Sequence, residues 1–206
     1  MSHDYKYISN EPKRRQFGIP NLISVNDTFS VDQLDAIERM CASNVLDKAT
    51  TMGQDDTQQS CIRRSACKFY TVNQETQWIF ARLNEVVEHV NNSLFNFDLN
   101  GYEAFQYTEY RLNGEYNFHQ DSSEFWNPSM GESETRKLSM SVVLNTPGVD
   151  FEGGEFETRT GHEDTKHESA RGRIFVFPSY VVHRVTPVTR GVRKSLVVWV
   201  TGPKFR

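Results

Sequence analysis

The chain has 206 residues, of which 37% are hydrophobic, 12% aromatic and 24% charged, a composition that fits one globular domain and excludes a disordered chain. A net charge of -4 disfavours a nucleic-acid partner, and the longest late apolar run, Leu196–Val200, is far too short to span a membrane. Met1–Lys6 has no apolar leader, and three cysteines (Cys41, Cys61, Cys67) without CxxC spacing argue against a disulfide framework or a zinc-thiolate site, so the expectation is a cytoplasmic protein with reduced thiols.

Residues 1–20 are polar and read as a loosely held arm. Ser30-Val31-Asp32-Gln33 has capping-box spacing ahead of Leu34, Ile37 and Met40, which recur at helical intervals. The polar segment 45–60 reads as a loop. Between 75 and 95, Trp78, Ile79, Leu83, Val86, Val87, Val90 and Leu94 fall on one helical face and predict a core-facing stripe. Residues 21–98 are therefore expected to form a helical support region.

From residue 99 the texture changes to short runs of Val, Phe, Tyr and Thr separated by Gly, Asn and Pro. Strands are predicted near 102–110, 116–120, 138–144, 154–158, 173–177, 181–188 and 193–200. Helices first and strands after predict a mainly β domain over 99–206, a β-sandwich or jelly-roll barrel.

Two of the six histidines begin an H-x-D triplet. His119-Gln120-Asp121 follows an aromatic strand, where residues i and i+2 share a face and can aim at one metal ion. His162-Glu163-Asp164 lies in a polar stretch without strand character and reads as part of a solvated loop over 159–170. A third ligand is available from His183, on a well-marked strand, although such a histidine can equally be an ordinary strand residue. Two imidazoles and one carboxylate form the facial arrangement that binds Fe(II) and leaves positions open.

Thr189-Arg190-Gly191 reads as a hairpin turn, which would place Arg193 and Ser195 on the face of His183. The separation along the ladder would be roughly 13 Å, a gap that suits a short dicarboxylate held by the metal at one end and a guanidinium at the other. A one-residue slip of register would turn Arg193 away.

The C-terminal half resembles the iron- and 2-oxoglutarate-dependent dioxygenases, in particular the prolyl 4-hydroxylase-like and PKHD-type hydroxylases. The matching motifs are Tyr110-x-x-Asn113-Gly114-x-Tyr116-x-x-His119-x-Asp121, Leu144-Asn145, Gly153-Gly154-Glu155, Phe175-Val176-Phe177-Pro178 and His183-x-Val185-x-Pro187 through Arg193. The resemblance implies a double-stranded β-helix, with His119, Asp121 and His183 as iron ligands and Arg193 as anchor for the distal carboxylate of 2-oxoglutarate. It also implies Tyr110 at the cosubstrate pocket and Tyr116 at the catalytic mouth, each of which can also be read as a stacked strand aromatic. Dioxygen, 2-oxoglutarate and ascorbate as reductant come with the same resemblance, as does a proline-containing peptide or protein substrate. A free amino acid or other small molecule, or a catalytically silent binding module, are the alternatives. Val143 stands where relatives often carry tyrosine; Ser195 is the candidate to replace its hydrogen bond.

Overall fold

The computed structural model describes residues 20–42, 46–48, 62–127 and 132–205. The arm over 1–19, most of the 45–60 loop and Cys61 lie outside the described residues. In chain order the elements begin with β1 (Ile23–Val25), α1 (Val31–Ala42), β2 (Asp47–Lys48), β3 (Arg63–Arg64), β4 (Ala66–Tyr70) and α2 (Gln77–Val90), which runs into a π-helical turn, Asn91–Phe95. Then follow β5 (Gly101–Tyr102), β6 (Phe105–Tyr110), β7 (Glu115–His119), β8 (Glu124–Asn127), β9 (Glu132–Val143), β10 (Phe151–Gly153) and β11 (Phe156–Thr160). The last are β12 (Glu163–His167), β13 (Ile174–Pro178), β14 (Val182–Val185), β15 (Val188–Gly191) and β16 (Arg193–Pro203).

The capping box forms as its spacing predicts. Ser30 N donates to Gln33 Oε1 at 2.9 Å, and Gln33 N donates to Ser30 Oγ at 3.2 Å. The stripe of α2 is buried at Ile79, Phe80, Leu83, Val86, Val87 and Val90. Beyond Val90 the turn widens, so that Phe95 is buried while Leu94 packs at the margin, and Asn96 ends the helix at φ 51°.

Antiparallel strands form a major sheet in the order β1-β13-β9-β16-β6-β4-β2, with β5 on β16 and β8 on β9. A minor sheet runs β12-β11-β14-β7-β3, and β10 pairs with β15. The outer face of the major sheet is apolar: Phe105, Tyr107, Leu138, Met140, Val142, Leu196, Val198 and Val200 form one core with the buried faces of α1 and α2. A smaller core, including Tyr110, Val143, Phe151, Phe156, Phe175, Phe177 and Val185, fills the space between the sheets. This is the double-stranded β-helix the sequence predicts. Residues 21–98 supply the covering helices and add β1 to β4 to the sheets.

Two local expectations are corrected. Residues 163–167 form a strand, paired with β11 from Phe156↔His167 to Thr160↔Glu163. β12 is the outer strand of its sheet and mostly exposed, so no apolar alternation marks it; ion pairs Arg159–Asp164 and Lys166–Glu155 hold it instead. Thr189-Arg190-Gly191 is not a hairpin turn. It belongs to β15, paired with β10, and the predicted strand 181–188 is broken before it at Thr186-Pro187. Gly191 has φ 72° because the Asp150 carbonyl packs against it, 2.0 Å from where a Cβ would stand. The chain thus crosses from the minor to the major sheet between His183 and Arg193.

Candidate active site

A cavity of about 590 Å³ opens between the two sheets. Its wall includes Tyr110, Tyr116, His119, Asp121, His183, Arg193 and Ser195, the residues expected as metal ligands, cosubstrate contacts and catalytic mouth. His183 and Arg193 meet there from facing sheets and not along one ladder, because inward-pointing positions of both sheets converge.

Asn113, at φ 62°, and Gly114 turn the chain from β6 into β7. A Cβ on Gly114 would fall 2.7 Å from Arg111 O and 2.9 Å from Arg64 O, which accounts for the Asn-Gly pair of the motif. β7 then delivers His119 opposite His183 of β14, with ring centroids 4.2 Å apart. Asp121 follows the end of β7 and is fixed by its backbone: Asp121 N and Ser122 N both donate to Ser179 O, at 2.9 and 3.0 Å.

His119, Asp121 and His183 each offer a ligand atom, all within 4.8 Å of one another. Both imidazoles are oriented alike. His119 Nδ1 donates to Asn117 O at 2.8 Å and His183 Nδ1 donates to Val181 O at 2.9 Å. A carbonyl only accepts, so Nδ1 carries a hydrogen in both rings, which leaves Nε2 as the atom turned toward Asp121 and a metal. The two Nε2 atoms lie 3.5 and 3.7 Å from the Asp121 carboxylate. Burial draws His183 down to about 4, which keeps it neutral near pH 7. Burial pushes the Asp121 carboxyl up, but His183, His119 and the Ser139 hydroxyl outweigh it and hold Asp121 well below the usual carboxylate range. Two imidazole nitrogens and one carboxylate at this spacing can hold a divalent metal on one face.

Arg193 is 1% exposed, and its Nε, Nη1 and Nη2 have no hydrogen-bond partner among the described residues. Its guanidinium lies 5.5 Å from the Tyr110 ring centroid. Gly154, at φ 60°, makes room for it: a Cβ there would stand 2.8 Å from Arg193 Cδ. Burying a cation without an acceptor is costly, so the Arg193 end of the cavity suits a carboxylate, which meets the guanidinium fork with two bonds. Ser195 lies two residues along β16 on the same face and opposite Val143, which is buried in the inner core.

Tyr116 stacks on His119 with centroids 3.4 Å apart and 13° between planes. Burial pushes its phenol up to about 12, so the ring stays neutral. His162 is exposed, and Asp164 is paired with Arg159, which leaves the second H-x-D triplet outside the cavity wall. Residues that sequence reasoning missed also line the cavity: Arg63, Phe69, Gln106, Ser141 and Trp199. They belong to no local motif. The inward parity of β4, β6, β9 and β16 is the signal that could have found most of them.

Residues 105–201 match the family model of the 2OG-Fe(II) oxygenase superfamily. A PKHD-type hydroxylase of Alteromonas mediterranea is 33% identical over 94 residues, 46% of this chain and 41% of the relative. A PKHD-type hydroxylase of Psychrobacter is 31% identical over 94 residues, 46% of this chain and 36% of the relative. The chain thus spans about two fifths of the length of the curated relatives it matches. Among solved structures, a prolyl-4-hydroxylase of Pseudomonas putida superposes with TM-score 0.68 at 20% identity, over 87% of this chain and 91% of that one. The viral collagen prolyl hydroxylase of Paramecium Bursaria Chlorella virus-1, in its 2OG complex, gives TM-score 0.67 at 16% identity, over 89% and 97%. These structures share the fold. Over residues 105–201 the chain is similar to the 2OG-Fe(II) oxygenase superfamily, and PKHD-type hydroxylases are among its curated relatives.

Proposed function

We propose that the chain is an Fe(II)- and 2-oxoglutarate-dependent hydroxylase acting on proline in a peptide or protein. The observation that carries this reading is one cavity holding both a His119–Asp121–His183 cluster and the unbonded guanidinium of Arg193. The residues fit the group: two imidazoles present free Nε2 lone pairs, the carboxylate is ionised, and a buried cation stands ready for the distal carboxylate of a diacid. Bound Fe(II) with 2-oxoglutarate supplies the oxidising chemistry. With both bound, that chemistry would insert one atom of dioxygen into a C–H bond as hydroxyl and the other into succinate, with loss of carbon dioxide.

The protein's part is placement. Asn117 O and Val181 O fix the tautomer and ring angle of the two histidines. The Ser179 carbonyl and the Ser139 hydroxyl hold the Asp121 segment, with Ser139 Oγ 3.0 Å from Ser179 Oγ. Arg193, with Tyr110 opposite it in the ladder and Ser195 beside it, receives the cosubstrate. Tyr116 braces the His119 ring at the catalytic mouth. Ascorbate would serve as external reductant to keep the metal ferrous.

A proline substrate draws support from the prolyl hydroxylases that share the fold, one of them, from Trichoplax adhaerens, solved with a peptide fragment of hypoxia inducible factor. The test is succinate formation with Fe(II), 2-oxoglutarate and a panel of proline peptides, free amino acids and oligonucleotides. Stimulation by proline peptides alone is expected. Stimulation by oligonucleotides alone would overturn the substrate reading.

A further inference from the structure

We propose that Arg63 binds a carboxylate on the molecule to be hydroxylated, so that this oxygenase takes an acidic substrate. The inference rests on the hydroxylase reading above and deepens it. Among the described residues three arginines line the cavity: Arg63, Arg136 and Arg193. Arg136 is already neutralised, with Nε and Nη2 each 2.7 Å from a carboxylate oxygen of Glu103. Arg193 faces the cosubstrate end. Arg63 is left over.

β3 pairs with β7 in the register Arg63↔Tyr116, which brings Arg63 to the cavity wall. Only 7% of the residue is exposed. Its Nε donates to Ser65 Oγ at 2.9 Å, and Nη1 and Nη2 bond to none of the described residues. Its guanidinium lies 4.7 Å from the centroid of Tyr116, the ring that stacks on His119. The cation therefore stands beside the candidate metal cluster.

A cation–π contact offsets only part of the cost of burying a guanidinium. The charges of the loaded site make the need explicit. Fe(II) and Arg193 are balanced by Asp121 and a 2-oxoglutarate dianion, and Glu103 balances Arg136. Among the described residues Arg63 is the surplus charge at the cavity wall, and a substrate carboxylate cancels it with two charge-assisted hydrogen bonds. A neutral peptide carbonyl would satisfy the donors but leave the charge.

The carboxylate could come from a free amino acid or from an acidic side chain next to the target residue in a peptide. Calorimetric titration of the dioxygen-free Fe(II)–2-oxoglutarate complex separates these sources. One arm compares each proteinogenic amino acid with its amide. The other compares end-blocked Pro-Asp and Pro-Glu peptides with their Pro-Asn and Pro-Gln counterparts. In one arm the carboxylate ligand should bind at least about tenfold tighter than its amide. Arg63→Gln should erase that preference, Arg63→Lys should retain part of it, and both variants should bind 2-oxoglutarate as the wild type does. The inference fails if neither arm shows a preference in the wild-type protein, or if the preference survives in Arg63→Gln. It also fails if Arg63→Gln loses affinity for 2-oxoglutarate, which would assign Arg63 to the cosubstrate. Failure of the wild type to bind Fe(II) and 2-oxoglutarate would instead overturn the hydroxylase reading itself.

Discussion

Alternate side chains of β16 face two different environments. Leu196, Val198 and Val200 point outward into the core shared with α1 and α2. Arg193, Ser195, Val197 and Trp199 point inward and line the cavity. The outer row is apolar and densely covered. The inner row leaves the Arg193 guanidinium and Trp199 Nε1 buried without hydrogen-bond partners among the described residues. The same division runs through β6, with Phe105 and Tyr107 outward and Gln106 and Tyr110 inward. One sheet thus has two unlike faces: the outer supplies hydrophobic stabilisation, and the inner turns polar groups toward the cavity.

Substitutions on the two faces should therefore have opposite signatures. The largest effect on stability is expected at Leu196, 1% exposed: Leu196→Ala should lower unfolding free energy in urea by about 2–5 kcal/mol and leave 2-oxoglutarate affinity within twofold. A large loss of affinity with little loss of stability would erase the distinction. Two residues away, Arg193→Met should weaken 2-oxoglutarate binding by about a hundredfold, roughly 2.7 kcal/mol, without lowering the melting temperature of the ligand-free protein. A fall in melting temperature would mean that Arg193 is structural.

Gly154 sharpens the comparison because it touches the inner face through Arg193 alone of the site residues. Gly154→Ala forces a side chain onto a positive φ and against Arg193 Cδ, so it should cost about 1–2 kcal/mol of stability and also weaken 2-oxoglutarate severalfold. Calorimetry and a denaturation curve on the same preparation check both. The smallest effect belongs to the helical layer far from the chemistry: Ser30→Ala removes one half of the capping box, should cost about 1 kcal/mol, and should leave ligand binding untouched.

How much was legible in the sequence follows from how local each signal is. The capping box at Ser30–Gln33 and the stripe of α2 are short-range patterns, and both form. His119 and Asp121 are two residues apart at a strand end, so their convergence needs no tertiary information; joining His183 to them required the spacing of several motifs. The sequence places Arg193 on the face of His183 through a hairpin, whereas the two side chains line the cavity from facing sheets. The turn-like Thr189-Arg190-Gly191 is a strand whose glycine admits the Asp150 carbonyl, a contact made by a distant segment. β12 escaped because an outer strand held by ion pairs shows no hydrophobic period. Arg63 escaped because a two-residue strand has no pattern, and its importance arises only when β3 pairs with β7.

The central claim is that His119, Asp121 and His183 hold one Fe(II) while Arg193 anchors 2-oxoglutarate beside it. Anaerobic titration with Fe(II) and 2-oxoglutarate, followed by visible charge-transfer absorption and by metal analysis after desalting, tests it directly. The account predicts one Fe(II) per chain and an absorption band that requires 2-oxoglutarate, with both lost in His183→Ala and the band alone weakened in Arg193→Met. Stoichiometric Fe(II) and an unchanged band in His183→Ala would contradict it.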